Sequence, residues 1–373
     1  MPLVIPIFIP HQGCPQLCLF CNQHSITGEE GGRSDAAAMV TATILEWLAR
    51  PRRQAPGRDA PVSPAPGMDE ERPPGRDAPV SPAPGIAPAE ERPPVQVAFF
   101  GGSFTCLSRV RQQELLAAVQ PFLRSGQVAC IRLSTRPDCI DREVCSFLLS
   151  QGVRIVELGV QSLDDRVLQA SWRGHDADDS RRAVALLRDA GMEVGIQLMP
   201  GLPQETTRSF LRTVREVVTL EPAFVRLYPV LVVEQAGLAA MYRRGEYRPL
   251  SMNKAVALTC RARNMLAAAA IRVVRIGLQP SPALERELLA GPYHPAFGEL
   301  VASRIWFKRI RALLAACPEG QRLTVRISPR DLSAVIGMKR LNMQRFERLG
   351  MADRLELITD ITMQRGTLVY AVN

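Results

Sequence analysis

The chain has few of the features that would place it in a membrane or outside the cell. None of its 373 residues fall in an apolar run of the roughly 20 residues that a spanning helix needs. The N-terminus has neither a basic segment nor a small-residue cleavage site, so we expect no signal peptide. Nine cysteines are too few for a disulfide framework in a chain of this length. These absences together predict a protein of the reducing cytoplasm that does not associate with membranes.

The cysteines are unevenly distributed, and this distribution is informative. Three of them are clustered near the N-terminus, whereas six are scattered along the chain. A buried, reduced thiol is the expected state of each scattered cysteine. These six are Cys106, Cys130, Cys139, Cys145, Cys260 and Cys317.

The composition is compatible with a sizeable hydrophobic core, but it does not identify a binding partner. The chain is 46% hydrophobic and 22% charged, which is ordinary for a globular protein. Its net charge of +9 permits an anionic partner such as RNA. Arginine-rich proteins are also often basic for no functional reason, so both interpretations stay open.

The clustered cysteines, Cys14, Cys18 and Cys21, have the spacing C-x3-C-x2-C and directly follow an apolar run. A [4Fe–4S] cluster is usually held by four cysteines, so three would leave one iron open to a substrate or cofactor. The alternative is a structural zinc site with His11 or His24 as the fourth ligand.

Residues 51–94 differ in kind from the rest of the chain. They are rich in proline, alanine and glycine, and the segment that starts at Pro56 recurs almost unchanged from Pro74. Almost nothing large is available to bury, so we predict a disordered or polyproline-like surface insertion. A proline-rich recognition segment is the alternative.

The remainder of residues 1–280 alternates between strand and helix patterns at intervals typical of βαβ units. About six such units predict an α/β fold, a partial (β/α)6 barrel similar to a TIM barrel, with its active face formed by the loops after the strands. The predicted strands are 3–9, 95–100, 128–134, 153–160, 193–199, 224–233 and 273–276. The predicted helices are 35–50, 109–123, 141–150, 178–190, 206–220 and 252–270.

After residue 280 the alternation stops. We predict a linker over 281–298 and a small α+β module over 299–373. This module carries basic residues that suit either RNA contact or a solvated surface. They are Arg326, Arg330, Lys339, Arg340 and Arg345.

Several motifs in the predicted strand-end loops resemble one enzyme superfamily. The cysteine loop, with Phe20 before its last cysteine, is similar to the signature of radical S-adenosylmethionine (SAM) enzymes. Within that superfamily, four motifs resemble the radical SAM domain of the Elongator catalytic subunit and, more distantly, oxygen-independent coproporphyrinogen oxidase. These are Ser134-Thr-Arg-Pro-Asp138, Val156-Glu-Leu-Gly-Val-Gln-Ser162, Arg173-Gly-His175 and Leu198-Met-Pro-Gly-Leu-Pro203.

The resemblance implies a barrel of the radical SAM type and a set of cofactor contacts. Gly101 and Gly102 would offer backbone carbonyls to the SAM ammonium, since no Cβ intervenes. Gln161 and Arg173 would contact the SAM ribose and carboxylate, and Gln197 the ribose or adenine. Two further positions are implied at the cofactor: Phe20, and Ser134, which stands where the family commonly has a glutamate.

The activity implied by the resemblance is reductive cleavage of SAM. Cys14, Cys18 and Cys21 would hold a [4Fe–4S] cluster, SAM would chelate the open iron, and a flavodoxin- or ferredoxin-type reductant would supply one electron. The resulting 5′-deoxyadenosyl radical would abstract hydrogen from substrate. A tRNA base is the first candidate substrate and a small metabolite the second; a non-catalytic iron–sulfur or zinc protein that binds RNA is the rival. The 75 residues after Gly298 are too few for an acetyltransferase domain.

Overall fold

The computed structural model describes residues 2–9, 12–15, 17–22, 36–50 and 94–373. The predicted insertion over 51–94 therefore lies outside the described residues apart from Pro94, as do His11 and His24. Within these ranges no helix is both long enough and apolar enough to cross a bilayer.

Seven strands of the described chain form one parallel sheet. They are β1 Leu3–Phe8, β2 Val95–Phe100, β3 Cys130–Thr135, β4 Val153–Gln161, β5 Glu193–Leu198, β6 Phe224–Leu227 and β8 Arg272–Ile276. Their order in the sheet is β1-β2-β3-β4-β5-β6-β8. The neighbours follow chain order, as repeated right-handed βαβ units require. The predicted partial barrel is confirmed, with six strand–helix units and a seventh strand at the edge.

Helices follow the strands and cover one face of the sheet. Their buried side chains and the outward side chains of the strands form one large apolar core, which includes Ile7, Phe99, Leu133, Ile196 and Phe210. The helices of this region are α1 Ala36–Ala49, α2 Arg109–Ala117, α3 Gln120–Arg124, α4 Arg142–Ser150, α5 Asp165–Ala170, α6 Ala177–Asp189, α7 Thr207–Leu220, α8 Gly237–Arg243 and α9 Met252–Ala268.

Two predicted elements were too long, and a proline explains each. The strand predicted over 224–233 ends at Leu227, because Pro229 lacks the N–H that a sheet interior needs. Its last residues instead form β7, Val232–Val233, which pairs with β9, Leu288–Ala290. The helix predicted over 109–123 is divided before Pro121, which lies in the first turn of α3.

The opposite, concave face of the sheet is polar. Arg132, Glu157 and Arg226 project from β3, β4 and β6 and form a buried ion-paired cluster. The Glu157 carboxylate accepts from Nε of Arg132 at 3.1 Å and lies 2.6 Å from Nε of Arg226. The guanidinium of Arg226 also lies 5.2 Å from the ring centroid of Phe100, the last residue of β2. Because β2 and β6 lie four strands apart, this side chain crosses the interior of the half-barrel.

The C-terminal part has its own core. Its elements are α10 Pro282–Glu287, α11 Phe297–Ala316, α12 Leu332–Ile336, α13 Leu341–Arg348, β10 Leu323–Ile327, β11 Leu355–Thr359 and β12 Leu368–Val372. A three-stranded sheet, in the order β11-β10-β12, packs on helices through Trp306, Val325, Val335 and Phe346. Residues 281–298, predicted to be a linker, contain α10 and β9; a domain boundary at residue 280 stays a prediction.

Candidate active site

The cysteine loop follows β1 and packs directly on the loop that follows β2. Ser103 donates its backbone N–H to the carbonyl of Gln12 at 2.9 Å. A Cβ on Gly13 would lie 2.3 Å from the Ser103 carbonyl oxygen, and one on Gly102 would lie 2.4 Å from that of Gln12. Both glycines are therefore required by backbone contact between the two loops.

Two of the three cysteine sulfurs contact polar side chains from other loops. Sγ of Cys14 lies 3.4 Å from the hydroxyl of Ser103, and Sγ of Cys18 accepts from Nη1 of Arg173 at 3.3 Å. Phe20 packs its ring into a buried apolar cluster that includes Cys18, with Cys21 at its edge. The loop thus presents its sulfurs at the carboxyl ends of the strands, where the sequence places the active face.

The three sulfurs are not gathered around one ion-sized point. In the part of the chain that the structure describes, no three histidine, cysteine, aspartate or glutamate side chains converge closely enough to hold a single metal ion. A cubane cluster needs a wider arrangement, because each sulfur bonds a different iron. The donor set of three thiols is chemically suited to such a cluster.

The ends of β4 and β5 bring together the predicted SAM contacts Gln161, Arg173 and Gln197. Nε2 of Gln197 donates to Oε1 of Gln161 at 3.2 Å, and Nη2 of Arg173 donates to the carbonyl of Gly159. A Cβ on Gly159 would lie 2.8 Å from that guanidinium nitrogen and 2.9 Å from Nε2 of Gln161. Gln161 itself has a φ of 68°, which is unusual for a residue with a side chain.

The end of β3 carries the predicted motif Ser134–Asp138, and its side chains link neighbouring loops. Arg136 is only 2% exposed and binds Asp138 through two hydrogen bonds, of 2.9 and 2.8 Å. The hydroxyls of Thr135 and Thr105 lie 2.6 Å apart and join the loops after β3 and β2. Ser134, the predicted ribose contact, lies one residue earlier and faces Glu157 across the β3–β4 register.

Positive charge accumulates around the cysteine sulfurs. Burial lowers the pKa of the Arg136 guanidinium, but the hydrogen bonds and charge of Asp138 and the nearby Cys18 and Cys14 outweigh it, so the pKa is raised. Burial, together with the charges of Arg173 and Arg136, lowers the pKa of His175 to about 4. His175 is therefore neutral near pH 7. The N-cap of α6 is Asp176, which accepts from the N–H of Asp179.

One pair of scattered cysteines corrects the sequence analysis. Cys106 and Cys139 form a disulfide with their Cα atoms 5.5 Å apart, so the prediction that both are reduced thiols is wrong. The bond joins the loops after β2 and β3, whose side chains face each other once the strands are paired. Cys145, Cys260 and Cys317 are free and buried, as predicted, whereas Cys130 is free but only half-buried.

Buried side-chain nitrogens without partners indicate that these loops are built to hold a polar group. Nη1 of Arg136, Nε of Arg173 and Nε2 of His175 are buried and have no hydrogen-bond partner among the described residues. Such groups carry a cost of about 1–3 kcal/mol each unless a ligand or water satisfies them. A carboxylate-bearing cofactor and a thiolate-ligated cluster both suit this cationic, donor-rich site.

Two protein-family models match this chain. Residues 86–217 match the model of the radical SAM superfamily, and residues 222–306 match the radical SAM C-terminal domain. The chain belongs to the radical SAM superfamily. Members of this superfamily are enzymes that use a [4Fe–4S] cluster and SAM. The match begins after the cysteine loop, so the roles of individual site residues stay predictions.

The curated relatives point to the Elongator branch of this superfamily. The chain is 32% identical over 169 residues to tRNA uridine(34) acetyltransferase of Methanocaldococcus infernus, covering 43% of this chain and 32% of the relative. It is 31% identical over 135 residues to human Elongator complex protein 3, covering 35% and 24%. The matched segment therefore spans a third or less of these relatives.

A solved structure shows the same fold. Elp3 of Methanocaldococcus infernus with an N-terminal deletion superimposes with a TM-score of 0.58 at 22% identity, covering 83% of this chain and 63% of that one. Coproporphyrinogen III oxidase of Escherichia coli gives a TM-score of 0.48 at 18% identity, covering 82% and 58%. The sequence relatives, rather than these structures, confirm the predicted resemblance to the Elongator branch.

Some residues of the site were missed by sequence reasoning. Ser103 is one of them, because its contact with Cys14 depends on how the two loops pack. Arg132 and Glu157 did carry a signal, because charged residues inside otherwise apolar parallel strands are rare unless they are paired.

Proposed function

We propose that this radical SAM protein cleaves SAM reductively at a [4Fe–4S] cluster held by Cys14, Cys18 and Cys21. The observation that carries this proposal is that Cys14 and Cys18 meet Ser103 and Arg173 at the carboxyl end of the sheet. The same edge holds the paired amides of Gln161 and Gln197.

The residues of the chain have separate tasks in this proposal. When bound and reduced by an external one-electron donor, the cluster would supply the electron that cleaves SAM to methionine and a radical able to abstract hydrogen. Ser103 and Arg173 orient the cysteine sulfurs. Gln161 and Gln197 offer donors and acceptors suited to a ribose. The buried guanidinium of Arg136 has one unpartnered nitrogen that is suited to a carboxylate.

The cofactor assignment is tested by anaerobic reconstitution with iron and sulfide. We expect about four irons per chain, a visible charge-transfer band, and 5′-deoxyadenosine released from SAM only when a reductant is present. Cys18→Ala should lose all three signals. Cys130→Ala is the matched control, because Cys130 is a free thiol far along the chain from the loop, and it should retain them. Bound zinc without SAM cleavage would contradict the proposal and favour a non-catalytic protein.

For the substrate we propose a nucleoside of tRNA. The support is the net charge of +9, the similarity to tRNA uridine(34) acetyltransferase, and the basic residues of the C-terminal part. Arg326, Arg330, Lys339 and Arg340 are exposed and form no ion pair with a carboxylate of the described residues. Unpaired surface cations of this kind suit phosphate contacts, whose contribution falls as salt rises.

The tRNA proposal has two tests. Nucleosides from cells carrying Cys18→Ala should lack at least one modification that is present with the Cys130→Ala control. Replacing Lys339 and Arg340 by serine should weaken tRNA binding and lower the slope of log K against log salt by about 1 for each phosphate that is no longer bound. An unchanged nucleoside profile, together with a changed metabolite profile, would favour a small-molecule substrate.

The reductant we propose is a flavodoxin- or ferredoxin-type protein.

A further inference from the structure

The side chains that contact the cysteine sulfurs are held firmly in place. Ser103 is 4% exposed, and its backbone is fixed by the hydrogen bond to Gln12 and by the close approach of Gly13. Its hydroxyl therefore has little freedom to turn away from Cys14. Such rigid positioning is what a group needs in order to tune a neighbouring centre.

Arg173 is fixed in a comparable way on the opposite side of the loop. Its backbone N–H donates to the carbonyl of Leu168 at 3.0 Å, at the end of α5. Its side chain donates through Nη2 to the carbonyl of Gly159. The neighbouring Ser171 accepts the N–H of Leu19 at 3.2 Å, which ties the cysteine loop to the same turn. With 7% of its surface exposed, the Arg173 guanidinium is largely shielded from water.

The direction of these contacts follows from the state of the sulfur. A free thiol and a hydroxyl can each donate to the other. A cysteine that binds iron is a thiolate and has no proton to give. The hydroxyl of Ser103 must then be the donor to Cys14, as the guanidinium of Arg173 already is to Cys18. Two different ligand sulfurs would each accept one hydrogen bond.

Resting on the proposed function, we propose that Ser103 and Arg173 are positioning residues that raise the reduction potential of the cluster. Hydrogen bonds to ligand sulfurs and nearby positive charge stabilise the more negative, reduced form. Arg136 adds to the positive charge on the same side. This assigns to Arg173 a role toward sulfur that is separate from its implied contact with SAM.

The test is the midpoint potential of the reconstituted cluster without SAM, followed by its electron paramagnetic resonance signal. Ser103→Ala should lower the midpoint potential by at least about 30 mV. This corresponds to a threefold shift of the one-electron equilibrium, because a tenfold shift corresponds to about 59 mV. Ser103→Thr retains the hydroxyl and should restore the potential. Ser171→Ala is the matched control: its buried hydroxyl has no partner among the described residues, and it should leave the potential unchanged.

A second measurement reports the hydrogen bond itself. In D2O, pulsed resonance should detect an exchangeable deuteron close to the cluster in the wild type and in Ser103→Thr, and that coupling should be lost in Ser103→Ala. Arg173→Gln removes a charge as well as a bond and should lower the potential further than Ser103→Ala does. If Ser103→Ala holds no cluster, a lowered potential in Arg173→Gln still supports the inference.

The possible failures are distinguishable. A wild-type protein that assembles no four-iron cluster overturns the proposed function and this inference together. A wild-type protein that cleaves SAM, with potentials unchanged in both Ser103→Ala and Arg173→Gln, overturns the inference and leaves the proposed function standing.

Discussion

Replacing Glu157 by glutamine should destabilise the protein more than any comparable change on its surface. The Glu157 side chain is 6% exposed and is the carboxylate shared by Arg132 and Arg226, whose side chains are 9% and 19% exposed. Glutamine preserves the shape and one acceptor oxygen but removes the negative charge. Two guanidiniums would then share the interior of the half-barrel with no carboxylate between them.

The magnitude follows from the cost of leaving buried charges unpaired. Breaking a buried ion pair by removing one partner costs about 3–5 kcal/mol. Glutamine retains one hydrogen bond, whereas the repulsion between Arg132 and Arg226 is no longer offset. These effects oppose each other, so we expect a loss of about 3 kcal/mol, a large fraction of the 5–15 kcal/mol that usually separates folded from unfolded states.

The assay is urea unfolding followed by circular dichroism, with Glu221→Gln as the control. Glu221 pairs with Arg188 at 2.9 Å, but these side chains are 71% and 45% exposed. An exposed pair contributes only up to about 1 kcal/mol. If both variants lost the same small amount, the cluster on the concave face would be well hydrated, and the reasoning from burial would be refuted.

Three further predictions concern single features of the fold. Gly102→Ala would place a Cβ 2.4 and 2.6 Å from two backbone carbonyl oxygens, and it should lower the free energy of unfolding in urea by about 1–3 kcal/mol. Gly298→Ala is the control, because its Cβ would meet nothing nearer than 3.4 Å and should be tolerated. Reducing the Cys106–Cys139 bond, which closes a separation of 33 residues, should lower stability by roughly 2–4 kcal/mol, and Cys106→Ser should make stability insensitive to reductant. Burial raises the pKa of Glu205 to about 8, so the folded form retains a proton that the unfolded form loses above pH 4.5. The free energy of unfolding should therefore fall by up to about 1.4 kcal/mol per pH unit as pH rises towards 8. Glu205→Gln should abolish this slope.

The order of the sheet could be predicted from the sequence because each βαβ unit is local. Apolar strand, amphipathic helix and turn residues recur within about 30 residues, and the handedness of the connection leaves one arrangement of neighbours. The cysteine spacing could likewise be recognised within a single loop. Pro229 showed the limit of this reasoning, since an apolar run from Phe224 to Val233 predicts one strand although its end pairs elsewhere.

Contacts between distant segments could not be predicted in the same way. The disulfide between Cys106 and Cys139 depends on which loops become neighbours, and cysteine spacing alone does not give connectivity. The grouping of Arg132, Glu157 and Arg226 depends on side-chain direction across three strands. A period-two pattern indicates which face a residue occupies, but it does not identify its partner on that face.

The fold explains why three residues separate Cys14 from Cys18. Cys14 contacts the loop after β2, whereas Cys18 contacts Arg173, which follows β4. Two strand spacings separate β2 from β4, or about 10 Å. Four residues of extended chain reach about 13–14 Å, which is enough to cross that distance with some curvature, whereas three residues reach only about 10–11 Å and leave almost none. The three residues between the cysteines thus allow one loop to run along the sheet edge and place its sulfurs against donors from two non-adjacent strands.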